Sequence, residues 1–259
     1  MFSKPLILKD QILGSDKEPL VCAPLVGTHE AAISRELAVI VPKHPDLIEW
    51  RVDFFSDIAD TARVVKLGRT IKHQVGRIPV ILTRRSTREG GHPISLNEDQ
   101  VFELYAALCR AGCVDLFDYE LSVGEYYFQQ AVALSEETEL KLIASFHNFQ
   151  ETPSREDLVA KFVAMEQAGA DVAKIAVMAK EPRDVLTLLE ATSIARDTIA
   201  LPIISLSMGA YGSLSRLFGW VFGSSVSFAV GEKSSAPGQV PMEQLNTVLE
   251  ILRAALKAP

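Results

Sequence analysis

Eight short apolar runs recur along this chain at intervals of about 30 residues, each followed by a longer segment with helical periodicity. The runs are 20–27 (LVCAPLVG), 47–53 (LIEWRVD), 79–85 (PVILTRR), 116–121 (LFDYEL), 140–147 (LKLIASFH), 172–178 (VAKIAVM), 202–208 (PIISLSM) and 225–230 (SVSFAV). Most are continuously apolar instead of alternating, which is how strands covered on both faces read. Eight such units use almost the whole chain, so the pattern predicts one closed (β/α)8 TIM barrel as a single domain over residues 1–259. A doubly wound open sheet is the alternative. It is disfavoured because no GxGxxG or GxxxxGK[ST] turn follows any run. Helix ends are legible too: Ser154 reads as an N-cap, Leu158, Phe162 and Met165 as an apolar stripe, and Gly169 as a stop. In the last helix Leu245, Val248, Leu249, Leu252 and Leu256 share a face that could cover a sheet.

At 259 residues with 48% hydrophobic side chains the chain buries a core without disulfides or a structural metal. It carries 26 Lys and Arg against 33 Asp and Glu, a formal net charge of −7. No basic run exceeds Arg84-Arg85, which leaves nothing to neutralise a row of phosphates and excludes nucleic acid as a partner. Cys22, Cys109 and Cys113 are too few and too isolated from histidine for a zinc set, and they fit a reducing compartment. Cys109 and Cys113 read as small buried residues on one helix face. The amino terminus lacks the apolar core of a signal peptide. The longest uncharged stretch, 198–215, is broken by Pro202, glycines and serines, so no membrane span is expected and the chain reads as cytoplasmic.

In a barrel, chemistry sits where strands end and βα loops begin. Lys174 stands inside the sixth run, flanked by strand-forming apolar residues, in a fold without edges. A buried ammonium is expensive, and desolvation is the usual means of making a lysine amine nucleophilic. The bland alternative is a lysine that snorkels along apolar surface. His147 closes the fifth run and is the one histidine of five at the carboxyl end of a predicted strand. Beside a buried lysine it suits proton transfer in imine chemistry.

Glu49, Arg51 and Asp53 share one face by the two-residue period, either as a solvated ion-pair network or as part of a site. Arg51, Arg85 and Arg216 concentrate near strand ends of an acidic protein, which points to a small anionic substrate. Glu89 is in reach of the same mouth and could orient a histidine. Glycine-bearing loops follow the seventh and eighth runs. Such loops often hold phosphate, but Ser235 and Gln239 suit hydroxyls or a carboxylate equally.

Six segments in register resemble the type I 3-dehydroquinate dehydratase family: EWRVD at 49–53, TxRSxxEGG at 83–91, SxHNF at 145–149, ADVAKIA at 170–176, SMGxxGxxSR at 207–216 and SAPGQ at 235–239. The resemblance implies a (β/α)8 barrel, a homodimer, and neither metal nor organic cofactor. It further implies conversion of 3-dehydroquinate to 3-dehydroshikimate through a Schiff base. By matching position, Lys174 would form the imine, His147 would be general acid and base, and Glu89 would orient it. Glu49, Arg51 and Arg85 would hold substrate hydroxyls, with Arg216, Ser235 and Gln239 around the substrate carboxylate. Arg84, Asn148 and Leu206 depart from the family pattern. A Schiff-base aldolase of the same fold is the alternative activity, and a catalytically silent barrel that only binds is a third reading.

Overall fold

The computed structural model describes residues 5–14 and 19–257. Residues 1–4 of the amino-terminal stretch read above lie outside the described residues. All eight runs are strands: β3 (Leu20–Leu25), β4 (Leu47–Arg51), β5 (Val80–Thr83), β6 (Leu116–Glu120), β7 (Lys141–Asn148), β8 (Val172–Met178), β9 (Ile203–Met208) and β10 (Val226–Phe228). They pair in parallel in chain order, with β10 returning to β3 in the register Val226 to Leu20. A parallel bridge between Ile203 and Ser224, with Ser225 N donating to Ile203 O at 2.6 Å, closes the ring on the β9 side. The outer layer comprises α1 (Glu30–Ile40), α2 (Thr61–Val75), α3 (Glu98–Arg110), α4 (Glu125–Thr138), α5 (Arg155–Gln167), α6 (Pro182–Thr198), α7 (Gly212–Phe218) and α8 (Met242–Lys257).

The two-residue period of the strands sorts side chains into two compartments. Outward residues such as Trp50, Phe117 and Ile175 meet the helices in the main core. Inward residues form layers, as barrels require. The lower layer is apolar throughout: Leu47, Ile81, Leu116, Ile143, Val172, Ile204 and Val226 belong to one buried cluster. Two residues further along the same strands the inward positions carry Glu49, Thr83, Asp118, Ser145 and Lys174, all buried.

Several details depart from the sequence reading. A hairpin of β1 (Leu6–Leu8) and β2 (Gln11–Leu13) precedes the barrel. Its Leu8 and Leu13 join the lower apolar cluster and plug the barrel from below, while Ile7 and Ile12 alternate outward. Three-residue strands are too short to show in a periodicity search. Cys113 lies beyond α3, in the loop before β6, and all three cysteines are buried and free. The apolar face of α8 stops early. Leu245 and Leu249 pack with Val21, Ala229 and Met242, whereas Leu256 is 58% exposed, so the helix outruns the sheet it covers. In α5 the expected cap is present, with the Ser154 hydroxyl accepting from Asp157 N, and Leu158, Phe162 and Met165 are fully buried.

Because the lower layer is close-packed, Leu116→Ala leaves a cavity beneath the polar layer. Urea unfolding should register a loss of about 2–5 kcal/mol, the range for buried leucine truncation.

Candidate active site

Burying charge in the barrel interior requires that each charge be answered by another. Asp118 in β6 does most of this. Its Oδ2 accepts from Lys174 Nζ at 2.8 Å, and its Oδ1 accepts from Arg85 at 2.9 Å and from the Ser145 hydroxyl at 2.6 Å. Burial opposes ionisation, but Arg85 and Lys174 hold the Asp118 carboxyl well below the usual range. Lys174 Nζ also lies 3.2 Å from Glu49 Oε1, which accepts from Thr83, and 4.7 Å from the centre of the Phe228 ring. The lysine is thus fixed between two carboxylates and an aromatic face, and its own residue is 3% exposed.

Arg85 stands just past β5 and donates to Asp118, Ser145 and Glu120, the last at 3.1 Å. Gly91 must pass close by: a Cβ there would sit 1.9 Å from the Arg85 carbonyl, so glycine is required for the loop to return over the arginine. Strand β4 ends at Arg51, and Asp53 lies in the turn beyond it, where it grips Arg51 through two hydrogen bonds of 2.8 and 2.7 Å. Asp53 is therefore a brace for Arg51; Glu49 and Arg51 are the inward pair.

His147 is oriented by one carboxylate. Glu89 Oε2 is 2.9 Å from both the backbone nitrogen and Nδ1 of His147, leaving Nε2 as the ring nitrogen free for other partners. Glu89 Oε1 accepts from Ser122 at 2.5 Å. Burial first and the neighbouring Glu120 second push the Glu89 carboxyl up to about 7. Burial, Arg85 and Lys174 push the imidazole well below its ordinary value, so His147 is neutral near pH 7.

Arg216 in α7 differs from the other two arginines. It is buried, its Nε has no partner, and its other nitrogens reach only the carbonyls of Phe228 and Pro237, at 3.4 and 3.3 Å. Desolvation without a compensating acid pulls its guanidinium down to about 10. Such a cation favours an anion from outside the protein. The half-buried Ser235 and Gln239 are bonded to each other in the loop after β10. That loop rests on the one after β9, since a Cβ on Gly238 would lie 2.4 Å from the Gly209 carbonyl.

All nine residues singled out from sequence, Glu49, Arg51, Arg85, Glu89, His147, Lys174, Arg216, Ser235 and Gln239, line a single cavity of about 460 Å³ at the carboxyl ends of the strands. Asp118, Glu120, Ser145, Ser122 and Phe228 were missed. Asp118 carries the same signal as Lys174, an ionised side chain inside a strand between apolar neighbours. Among the three departures, Leu206 lines the cavity. Arg84 points to the helix layer, pairing with Glu98 of α3 at 3.0 Å, and Asn148 caps the following turn by accepting from Gln150 N and Glu151 N. Among the described residues no group of His, Cys, Asp and Glu side chains has the arrangement of a metal site.

Comparison with known proteins gives a consistent result. The family described as type I 3-dehydroquinase matches residues 21–255. A 3-dehydroquinate dehydratase from Aromatoleum aromaticum is 62% identical over 255 residues, covering 98% of each chain. The crystal structure of 3-dehydroquinate dehydratase from Geobacillus kaustophilus superposes with a TM-score of 0.95 at 46% identity, covering 97% of each chain. That of a type I 3-dehydroquinate dehydratase from Clostridium difficile, with covalent modified comenic acid, does so with a TM-score of 0.93 at 35% identity, covering 98% of this chain and 99% of that one.

The His147–Glu89 pair has a signature in stability. Glu89 keeps a proton in the folded state between its ordinary 4.5 and about 7, a contribution present at low pH and lost as pH rises through that window. His147 has the opposite sign: below its ordinary 6.5 the unfolded chain gains a proton that the folded imidazole refuses, so stability is lost as pH falls. The two slopes oppose one another in the wild type between about 4.5 and 6.5. Glu89→Gln removes one of them. A pH series of urea unfolding curves should show the variant losing stability steadily as pH falls across this range, by up to about 1.4 kcal/mol per pH unit, while the wild type stays nearly flat.

Proposed function

This chain belongs to the type I 3-dehydroquinase family, and on that premise we propose that it is a 3-dehydroquinate dehydratase, a hydro-lyase, working through a Schiff base on Lys174. The observation that carries the mechanism is the buried Lys174 amine, fixed by Asp118 and Glu49 in the same cavity as a neutral, Glu89-oriented His147.

Arg216 takes the C1 carboxylate of 3-dehydroquinate, which supplies the anion its environment lacks. Ser235 and Gln239 add hydrogen bonds on the same side, and Glu49, Arg51 and Arg85 hold the ring hydroxyls. With the ring anchored, the C3 ketone faces Lys174. One ammonium proton passes to a neighbouring carboxylate, and the amine adds to C3. The proton parked on the carboxylate is passed back through His147 to the resulting hydroxyl, which leaves as water, giving an iminium and leaving His147 neutral. The iminium draws electron density from C2, whose proton is taken by Nε2 of His147 to form an enamine. His147 then returns that proton to the departing C1 hydroxyl. Hydrolysis of the remaining iminium releases 3-dehydroshikimate and restores the lysine, so one water is lost overall.

We also read the chain as one domain acting as a cytoplasmic homodimer. Leu214, Phe218, Val221 and Phe222, exposed at 36–41% along one short stretch, support self-association. Among the described residues no helix is long and apolar enough to cross a membrane.

Borohydride added during turnover of 3-dehydroquinate should trap a covalent adduct, located on Lys174 by peptide mass spectrometry. Lys174→Ala should give no adduct and no rise in enone absorbance. His147→Ala should still be trapped but turn over at least about 100-fold more slowly. An adduct on another lysine would refute the mechanism. Light scattering should return a mass of twice 28.4 kDa, and the single-chain mass would refute the dimer.

A further inference from the structure

Behind the substrate cavity, on the other side of Arg85, lies a second, lateral cavity of about 960 Å³. Arg84, Ser86, Glu120 and Ser122 are among its lining residues. Three polar atoms around it are buried and have no partner: Glu120 Oε2, Ser86 Oγ and Arg84 Nε. Glu120 is 2% exposed. Buried polar groups on a roomy polar cavity are satisfied by water. The two cavities are joined by one carboxylate. Glu89 Oε2 faces His147 on the substrate side, and Glu89 Oε1 faces Ser122, whose residue is exposed on the lateral side.

This division bears on how a buried pair tolerates catalysis. A proton delivered to Nε2 makes the imidazole cationic beside Arg85 and Lys174, both of which already disfavour that charge. The cost is smallest if a proton leaves the pair at the same time. Glu89 can release one, because it holds a proton over much of the working range, with burial, Glu120 and Asp118 favouring the acid and Arg85, 3.6 Å away, and the Ser122 hydroxyl favouring the carboxylate. Oε2 already receives the backbone N–H of His147 and faces Nδ1, so in the acid form the proton belongs on Oε1, and the Ser122 hydroxyl, which donates to the carboxylate form, turns to accept from it.

We propose that Ser122 is a proton-relay residue, through which Glu89 discharges a proton into the lateral cavity whenever His147 accepts one from substrate, and recovers it when His147 gives that proton up. In the outward step the Glu89 O–H bond breaks and Ser122 Oγ gains the proton, while the serine's own proton passes to cavity water. The pair goes from neutral imidazole and carboxylic acid to imidazolium and carboxylate, with no change in its total charge. Substrate filling the mouth does not obstruct this path, which opens to the side.

The proposal rests on the dehydratase reading, and chemical rescue of Ser122→Ala tests it. At pH about 6, where Glu89 must give up a proton, kcat for 3-dehydroquinate should fall about tenfold with KM unchanged. At pH about 8, where Glu89 is already ionised, it should match the wild type. Imidazole added at constant pH and ionic strength should restore the lost rate with saturation, and Ser122→Thr should retain it. An equal kcat at both pH values, a deficit independent of pH, or one that imidazole leaves untouched would overturn the relay. Wild-type protein without enone formation would instead refute the activity itself.

Discussion

A carboxylate with no access to water holds the centre of this molecule together. Asp118 accepts simultaneously from Lys174 of β8, Ser145 of β7 and Arg85 in the loop after β5. Arg85 in turn engages Glu120, and Lys174 engages Glu49. Each charge is tolerable only because the others are present, so the network fixes the amine as firmly as packing fixes an aliphatic side chain. An ion cluster of this kind contributes little net stability, because desolvation consumes most of the attraction. Its contribution is geometric: the Lys174 amine and the Arg85 guanidinium are held in fixed positions by the protein itself.

The fold was legible because both faces of a parallel strand are covered, and few architectures besides a parallel barrel or a doubly wound sheet produce continuous apolar runs at a regular interval. The strand-end residues were legible for a related reason. Charge in an apolar run is costly, so Lys174 and the Glu49–Arg51 pair stand out. Asp118 should have stood out equally, between Leu116, Phe117 and Tyr119. Its role is invisible without the register that sets Thr83 beside it on one strand and Ile143 on the other. Ser122 and Ser145 could not be read at all, since serine is cheap in every environment and only contact reveals its use. The amino-terminal hairpin was lost because three residues carry no periodicity.

Two arginines in the cavity are compensated by the protein and one is not. Arg85 has Asp118 and Glu120; Arg51 has Asp53. Arg216 has two backbone carbonyls at long range. The same residue type therefore does different physical work in one cavity. Compensated guanidiniums act as rigid hydrogen-bond donors, and the uncompensated one supplies the attraction for an anion. Charge totals conceal this difference, since the chain as a whole is acidic.

The hairpin that plugs the barrel floor also carries information about assembly. Leu8 and Leu13 precede all eight barrel strands along the chain, yet the surface they seal is built from Leu47 through Val226. Their docking site does not exist until the eighth strand has joined the first. A segment that comes before every barrel strand in sequence is thus bound to be among the last to settle, and the barrel's interior stays open to water from below until the ring has closed.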